Sequence, residues 1–160
     1  MQAVICDGMP LACIRREIGQ KSTPLKWGRR CPNCLRDCAD QADSFNLPYI
    51  TTGQLLSEER RLELRSLANS LPANELYTHR HLNIEVGKLA LSSVIRFFKG
   101  LPIEGQENIA REYLYAGLVN TEAAITAIRQ FKPDTVIMSH GCYVDYGPAF
   151  SVATLSLIHI

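Results

Sequence analysis

The segment DTVIMS, residues 134 to 139, constrains the fold of this chain most, because it joins β-branched and apolar residues with no polar alternation. Such a run is typical of a central parallel strand that helices cover on both faces. Lys132 and Pro133 precede the segment and end a helical pattern, and a His-Gly pair follows it directly. The segment therefore predicts a buried strand with a polar loop at its carboxyl end.

The remaining patterns supply the other elements of an open α/β sheet. Residues 3 to 6, AVIC, predict a second buried strand. Helical patterns cover about 57–71, 84–98 and 104–131, and Pro148 suits the first turn of a further helix. The order of strand, helices, strand, loop and helix predicts a Rossmann-like α/β fold, in which helices flank an open parallel sheet.

The region from about 20 to 53 shows no helical or strand periodicity and predicts an irregular, cysteine-containing insertion. A loop this long inside a compact domain is uncommon unless something fixes its conformation. Cys31 and Cys34 have the spacing with which two thiolates meet one metal ion, Cys38 follows, and Cys13 is a candidate fourth ligand. The sequence leaves open a structural zinc ion, an iron–sulfur cluster, or reduced thiols without a metal.

Charge and hydropathy narrow the partners that we expect. The 160 residues include 17 basic and 16 acidic side chains, a formal net charge of +1, which favours no nucleic-acid partner. The longest apolar run is far shorter than the roughly 20 residues that a membrane helix needs. The N-terminal residues resemble no secretory signal. We therefore expect a cytoplasmic protein, with peripheral contact at the inner face of the membrane left open.

The loop that follows the predicted strand is the candidate ligand site. In open α/β sheets, ligands bind at the carboxyl ends of the strands. Two tyrosine rings suit the flat faces of sugars, an aspartate can accept hydrogen bonds from hydroxyl groups, and glycines let the backbone approach a ligand. The alternative is a packed turn in which the histidine caps a backbone carbonyl. The predicted site comprises His140, Gly141, Tyr143, Asp145, Tyr146 and Gly147.

Four segments of the chain together resemble one family of enzymes. These segments are CDGMPLAC, KWGRRCPNCLRDC, EVGKLALSSVIRFFKG and PDTVIMSHGCYVDYGPAF. They resemble the N-terminal part of bacterial glycosyltransferases that build capsular and other surface polysaccharides, which are GT-B-like proteins. The resemblance spans nearly all of residues 3 to 154, and its most specific part is the HG-x-Y-x-x-YGP pattern.

The resemblance implies two Rossmann-like domains that face each other across a cleft. The N-terminal domain would bind a glycan or lipid-linked acceptor, and a C-terminal domain, absent from this sequence, would bind the nucleotide-sugar donor. It implies that transfer needs no metal, that His140 is a candidate catalytic base, and that Asp7 and Gly8 join the substrate-binding residues. Histidine suits the role because its ordinary pKa lies near about 6.5. The alternative from another class is a non-catalytic, metal-binding α/β interaction module.

The last six residues, Leu155 to Ile160, read LSLIHI, which is the translation in one frame of an adapter used in sequencing libraries. We interpret them as a non-native tail. On this interpretation residues 1–154 form the acceptor-side domain of a longer enzyme, and the chain alone is expected to be inactive.

Overall fold

A computed structural model describes residues 1–8, 31–100 and 104–156 of the chain. These residues form five α-helices, two short strands and two 3-10 turns, at Thr52–Gln54 and Ala73–Glu75. The strands and helices are, in chain order, β1 (Ala3–Ile5), α1 (Cys31–Ser44), β2 (Tyr49–Thr51), α2 (Glu58–Ser70), α3 (Val86–Phe98), α4 (Glu107–Phe131) and α5 (Gly147–Leu155).

The prediction of a Rossmann-like open parallel sheet is wrong. Within the described ranges the sheet has only β1 and β2, which pair in parallel with Ala3 opposite Tyr49. Residues 134–139 form no strand, and Ile137 in the middle of this segment is 80% exposed. A central strand needs a neighbour on each edge to pair its backbone groups. Within residues 134–139 only Thr135 makes a β-bridge, and a single bridge is not a strand.

Helix α4 occupies the centre of the fold, the position that the predicted sheet would have held. Helices α2, α3 and α5 pack against it. A helix that is buried on most of its surface is typical of a protein core. Although α4 has 25 residues, neither it nor any other helix in the described ranges is long and apolar enough to cross a membrane. The residues of α4 with no exposed surface are Ala110, Tyr113, Leu114, Ala116, Leu118, Val119 and Thr121.

Gly117 explains how closely α3 approaches α4. A Cβ atom at this position would lie 2.6 Å from Cγ1 of Val86, which is the first residue of α3. Contacts below about 3 Å between such atoms are strongly repulsive, so this crossing point requires a glycine. The helical pattern predicted over about 104–131 is confirmed, because α4 is one continuous helix from Glu107 to Phe131.

The boundaries of the long helices agree with their capping residues. The Oγ atom of Ser57 accepts a hydrogen bond from the backbone N–H of Arg60 at 3.1 Å and caps α2. Helix α3 ends at Lys99, whose φ of 56° is left-handed, followed by Gly100 at 78°. Pro148 lies in the first turn of α5, as its fixed φ favours.

The prediction of an irregular insertion is wrong for its described part. Residues 31–44 form α1, and β2 follows after a turn at Asn46, whose φ is 51°. Pro32 is the second residue of α1, a first-turn position where proline is favoured, so the sequence did contain a helix-start signal. Residues 9–30, which include the candidate metal ligand Cys13, lie outside the described residues.

Candidate ligand site at the His140 loop

Residues 140–146, here called the His140 loop, precede α5 and are anchored by Val144. Val144 has no exposed surface. Its backbone N–H donates a hydrogen bond to Oγ of Ser93 at 3.1 Å, and its carbonyl accepts one from Nδ2 of Asn120 at 2.6 Å. Ser93 belongs to α3 and Asn120 to α4. Two core helices therefore fix the backbone in the middle of the loop.

Two glycines of the predicted site make room for protein side chains. A Cβ atom at Gly141 would lie 2.7 Å from Cγ of Phe150, and one at Gly147 would lie 2.5 Å from Cδ2 of Leu89. The backbone N–H of Gly147 also donates to the carbonyl of Tyr143 at 2.6 Å, which closes the turn into α5. These glycines hold the loop close to α3 and α5, whereas the sequence analysis assigned them to the approach of a ligand.

His140 lies between the two predicted tyrosines. Its ring packs edge-to-face against Tyr143, with centroids 5.3 Å apart, and against Tyr146 at 4.8 Å. Its Nδ1 atom is buried and has no hydrogen-bond partner among the described residues. A buried polar atom without a partner costs about 1–3 kcal/mol, so each case requires an explanation. Tyr146 is 41% exposed, so its ring is accessible from solvent.

Asp145 faces Arg96 of α3, a residue that the sequence analysis did not select. The guanidinium carbon of Arg96 lies 3.9 Å from the centroid of the Tyr143 ring, which is a cation–π contact. The Nη1 atom of Arg96 is 3.9 Å from Oδ2 of Asp145, and both side chains are 16% exposed. Oδ1 of Asp145 is buried and has no hydrogen-bond partner in the described ranges.

The sequence did contain one indication that α3 contacts the loop. Ser93 is a polar residue within the inward-facing apolar stripe of α3, and a buried serine needs a hydrogen-bond partner. Arg96 lies three residues later, so it projects from the same face of the helix. One face of α3 therefore holds the backbone of Val144 through Ser93 and contacts the flanking side chains through Arg96.

Asp7 and Gly8, the other predicted substrate-binding residues, lie at the end of β1. The Asp7 carboxylate accepts hydrogen bonds from Oγ1 of Thr52 at 3.1 Å and from the backbone N–H of Gly53 at 2.9 Å. These bonds cap the 3-10 turn after β2 and join the ends of the two strands. Gly8 has a φ of 88°, a left-handed conformation that glycine adopts without strain. These contacts stabilise the sheet and do not place Asp7 and Gly8 with the His140 loop.

The three cysteines of α1 lie on one face of the helix and are half-buried. A helix rises about 1.5 Å per residue, so Cys31 and Cys38 are about 10 Å apart along the axis. Thiolates on one zinc ion lie within about 4 Å of each other. Cys34 can therefore share a zinc ion with either neighbour, but α1 cannot bring all three to one ion. No group of three or more His, Cys, Asp or Glu side chains in the described ranges is arranged to hold a metal.

A second polar cluster surrounds Glu122 on α4. Its carboxylate accepts hydrogen bonds from Nε of Arg60 at 2.8 Å and from Nη2 at 2.6 Å, and it pairs with Nε2 of His81 at 2.8 Å. The bonds from Arg60, and then the bond from His81, hold the pKa of Glu122 below its ordinary value despite desolvation. Because its partners come from α2 and from the connector before α3, this cluster stabilises the packing of α4.

Comparison of the chain with protein-family models, curated proteins and solved structures found no match. The resemblance to polysaccharide glycosyltransferases therefore stays a hypothesis.

Proposed function

We propose that the His140 loop binds a saccharide, and that it serves an enzyme that transfers a sugar from a nucleotide-sugar to a glycan or lipid-linked acceptor. The observation that supports this proposal is the buried Nδ1 atom of His140, which has no partner among the described residues and lies between two tyrosine rings. A sugar supplies what these groups lack. Its hydroxyls can bond to the ring nitrogen, and its C–H faces can pack against the aromatic rings.

The proposed chemistry assigns His140 the role of general base. As the acceptor oxygen forms a bond to the anomeric carbon of the donor, His140 takes the proton from that hydroxyl. The bond between the anomeric carbon and the phosphate oxygen breaks, and the nucleoside diphosphate leaves with the electron pair. A general base in this position typically accelerates such a step by about 10²- to 10⁴-fold.

Saccharide binding is the part of the proposal that this chain can test directly. We would screen neutral mono- and disaccharides by saturation-transfer NMR and measure dissociation constants by calorimetry for the wild type and two variants. Tyr146→Ala removes a ring of the site, and Tyr49→Ala is a matched control because both tyrosines are 41% exposed. Loss of the stacking contact should weaken binding about 10-fold in Tyr146→Ala and leave Tyr49→Ala unchanged.

Two results would contradict the proposal. The first is the absence of saturation transfer to every saccharide in the panel. The second is an equal loss of affinity in Tyr146→Ala and Tyr49→Ala, because binding would then not depend on the His140 loop.

The cysteine face of α1 favours a second candidate function, a metal-binding interaction module. Cys34 lies three residues after Cys31 and four residues before Cys38 on α1. Either spacing allows two ligands on one helix to share an ion. Titration with Co²⁺ should then give thiolate-to-metal absorption that Cys34→Ser removes. Cys142→Ser, in the His140 loop, should leave the absorption unchanged. A wild-type chain that shows no such absorption would exclude this candidate.

A further inference from the structure

We infer that a pocket between α2 and α4 binds the terminal phosphate group of a small ligand, and that Arg61, Arg65 and Tyr115 hold this group. The pocket has a volume of about 270 Å³ and is lined by Glu58, Arg61, Leu62, Arg65 and Tyr115. The four residues from α2 recur at three- and four-residue spacings, which places them on one face of the helix. The His140 loop contributes none of these residues, so the two sites are independent.

Arg65 is held in place by α4. Its Nη1 atom donates a hydrogen bond to Oε1 of Glu112 at 2.7 Å, and its guanidinium carbon lies 3.5 Å from the centroid of the Tyr115 ring. This bond occupies one N–H group of the guanidinium, and Nε and Nη2 are not buried. Arg65 can therefore donate to a ligand from a position that is already fixed, which lowers the entropy cost of binding.

Arg61 is the cation of the pocket that has no carboxylate partner. Its side chain makes no hydrogen bond or ion pair within the described ranges. Its Nε atom is buried and out of reach of a ligand, whereas Nη1 and Nη2 are accessible at the pocket. A half-buried guanidinium without a partner is unfavourable, because burial removes water that would solvate its charge. An anion bound at the Nη atoms would compensate this charge.

The remaining groups leave the pocket with more donors than acceptors. Tyr115 is 6% exposed, and its hydroxyl makes no hydrogen bond with the described residues but is not buried. The one carboxylate that lines the pocket belongs to Glu58, which is exposed and lies in the first turn of α2. Water and the positive end of the helix dipole reduce its repulsion of an anion. The lining therefore presents two guanidiniums against one carboxylate.

A terminal phosphate group matches these donors best. A guanidinium binds phosphate through two parallel N–H···O bonds. A phosphate monoester carries a charge of about −1.5 to −2 at neutral pH and has three terminal oxygens, so Arg61, Arg65 and Tyr115 can all donate to it at once. A diester has a single charge and fewer terminal oxygens. Leu62 is 64% exposed at the edge of the pocket, which leaves space for the substituent that carries the phosphate.

The test uses two probes that differ in the number of ester bonds. We would titrate the ¹⁵N-labelled chain with methyl phosphate and with dimethyl phosphate at pH 7.5 and constant ionic strength, and record the Nε–H signals of the arginines. Methyl phosphate should shift the Arg65 signal saturably with a dissociation constant of about 1 mM, and dimethyl phosphate should bind about 10-fold more weakly.

Four variants test the assignment of the residues. Arg61→Gln should weaken the binding of methyl phosphate about 10-fold, and Arg61→Lys should weaken it less, because lysine keeps the charge but not the planar pair of donors. Tyr115→Phe keeps the ring under Arg65 and should weaken binding about 3-fold. Glu58→Gln should tighten binding about 2-fold, because it removes the carboxylate that repels the anion.

Arg129→Gln is the matched control, because Arg129 is an exposed arginine of α4 outside this pocket. It should leave the affinity unchanged. An equal loss of affinity in Arg61→Gln and Arg129→Gln would overturn the site, since phosphate would then respond only to the net charge of the chain. Equal affinities for the two probes would overturn the assignment to terminal phosphates, and weaker binding in Glu58→Gln would contradict an anionic ligand. A wild-type chain without saturable shifts in the millimolar range would overturn the inference even if a variant did not fold.

Discussion

Replacement of Ser93 by alanine should loosen the His140 loop and destabilise the fold. The Oγ atom of Ser93 accepts the hydrogen bond from the backbone N–H of Val144, and both residues have no exposed surface. Without this oxygen the buried N–H loses its partner, which costs about 1–3 kcal/mol. The second bond of Ser93, to the carbonyl of Leu89, matters less because that carbonyl also lies within the hydrogen-bonded ladder of α3.

The higher helix propensity of alanine offsets part of this loss of stability. Alanine is favoured over serine inside a helix by about 0.5 kcal/mol, so the net destabilisation should be about 0.5–2.5 kcal/mol. For a domain of this size that corresponds to a fall in the melting temperature of about 1–10 °C. Ser92→Ala is the matched control, because Ser92 is the adjacent residue of the same helix and is only half-buried. It has the same propensity gain and should be neutral or slightly stabilising.

Urea denaturation, monitored by far-ultraviolet circular dichroism, gives the free energy of unfolding of both variants. Amide hydrogen exchange of Val144 should also become faster in Ser93→Ala relative to amides of α2, because the loop opens locally. The account would be refuted if Ser93→Ala and Ser92→Ala differed by less than about 0.5 kcal/mol and exchange at Val144 were unchanged, since the hydrogen bond would then contribute nothing measurable.

Three further predictions follow from the core, the connector and the Glu122 cluster. Gly117→Ala should destabilise the fold by about 1–3 kcal/mol in denaturant titrations, because the new Cβ atom would lie 2.6 Å from Val86, and Val86→Ala in the same chain should recover part of this loss. Leu82→Asn should raise the melting temperature, since Leu82 has a φ of 48° in a turn and asparagine adopts this left-handed conformation at about 1 kcal/mol less cost; an unchanged melting temperature would count against this. Arg60 lowers the pKa of Glu122 below its ordinary 4.5, so the stability that this carboxylate contributes is complete above pH 4.5 and is lost as the pH falls through the lower, folded-state value. The stability difference between wild type and Glu122→Gln should therefore narrow only below pH 4.5, and a difference that narrowed on raising the pH would contradict the assignment.

Helices α2 to α5 were predictable from the sequence because their determinants are local, whereas α1 was not predicted. Ser57 caps α2, Pro148 lies in the first turn of α5, and Lys132 with Pro133 ends α4. Each of these residues acts on backbone groups within one turn of itself, so its effect does not depend on the rest of the fold. The pattern at 57–71 gave the boundaries of α2 to within one residue.

The sheet was not predictable in the same way. An apolar run such as residues 134–139 fits a buried strand, but a strand forms only if another segment pairs with it, and pairing is a tertiary property. The apolar sequence of α4 competes for the same central position, and it needs no partner for its backbone hydrogen bonds. In the structure α4 is buried and Ile137 is exposed.

The same distinction between local and tertiary determinants applies to the candidate site. His140, Tyr143, Asp145 and Tyr146 are close in sequence, so any fold brings them near each other, and the sequence identified them. Arg96, Ser93 and Asn120 come from α3 and α4, and only the packing of these helices against the loop brings them to it. The helical pattern at 84–98 does not reveal that the buried Ser93 bonds to the loop.

The central claim is that the His140 loop binds saccharides. The most direct test is to titrate the ¹⁵N-labelled chain with saccharides and to record the amide chemical shifts at each step. Saccharide binding at the His140 loop predicts saturable shifts at His140, Tyr143, Asp145 and Gly147, together with the side-chain Nε–H of Arg96. The amides of Thr52 and Gly53, at the Asp7 cap, should not move. Saturable shifts confined to the sheet or to α1, or no saturable shift at all, would contradict the assignment of this loop as the ligand site.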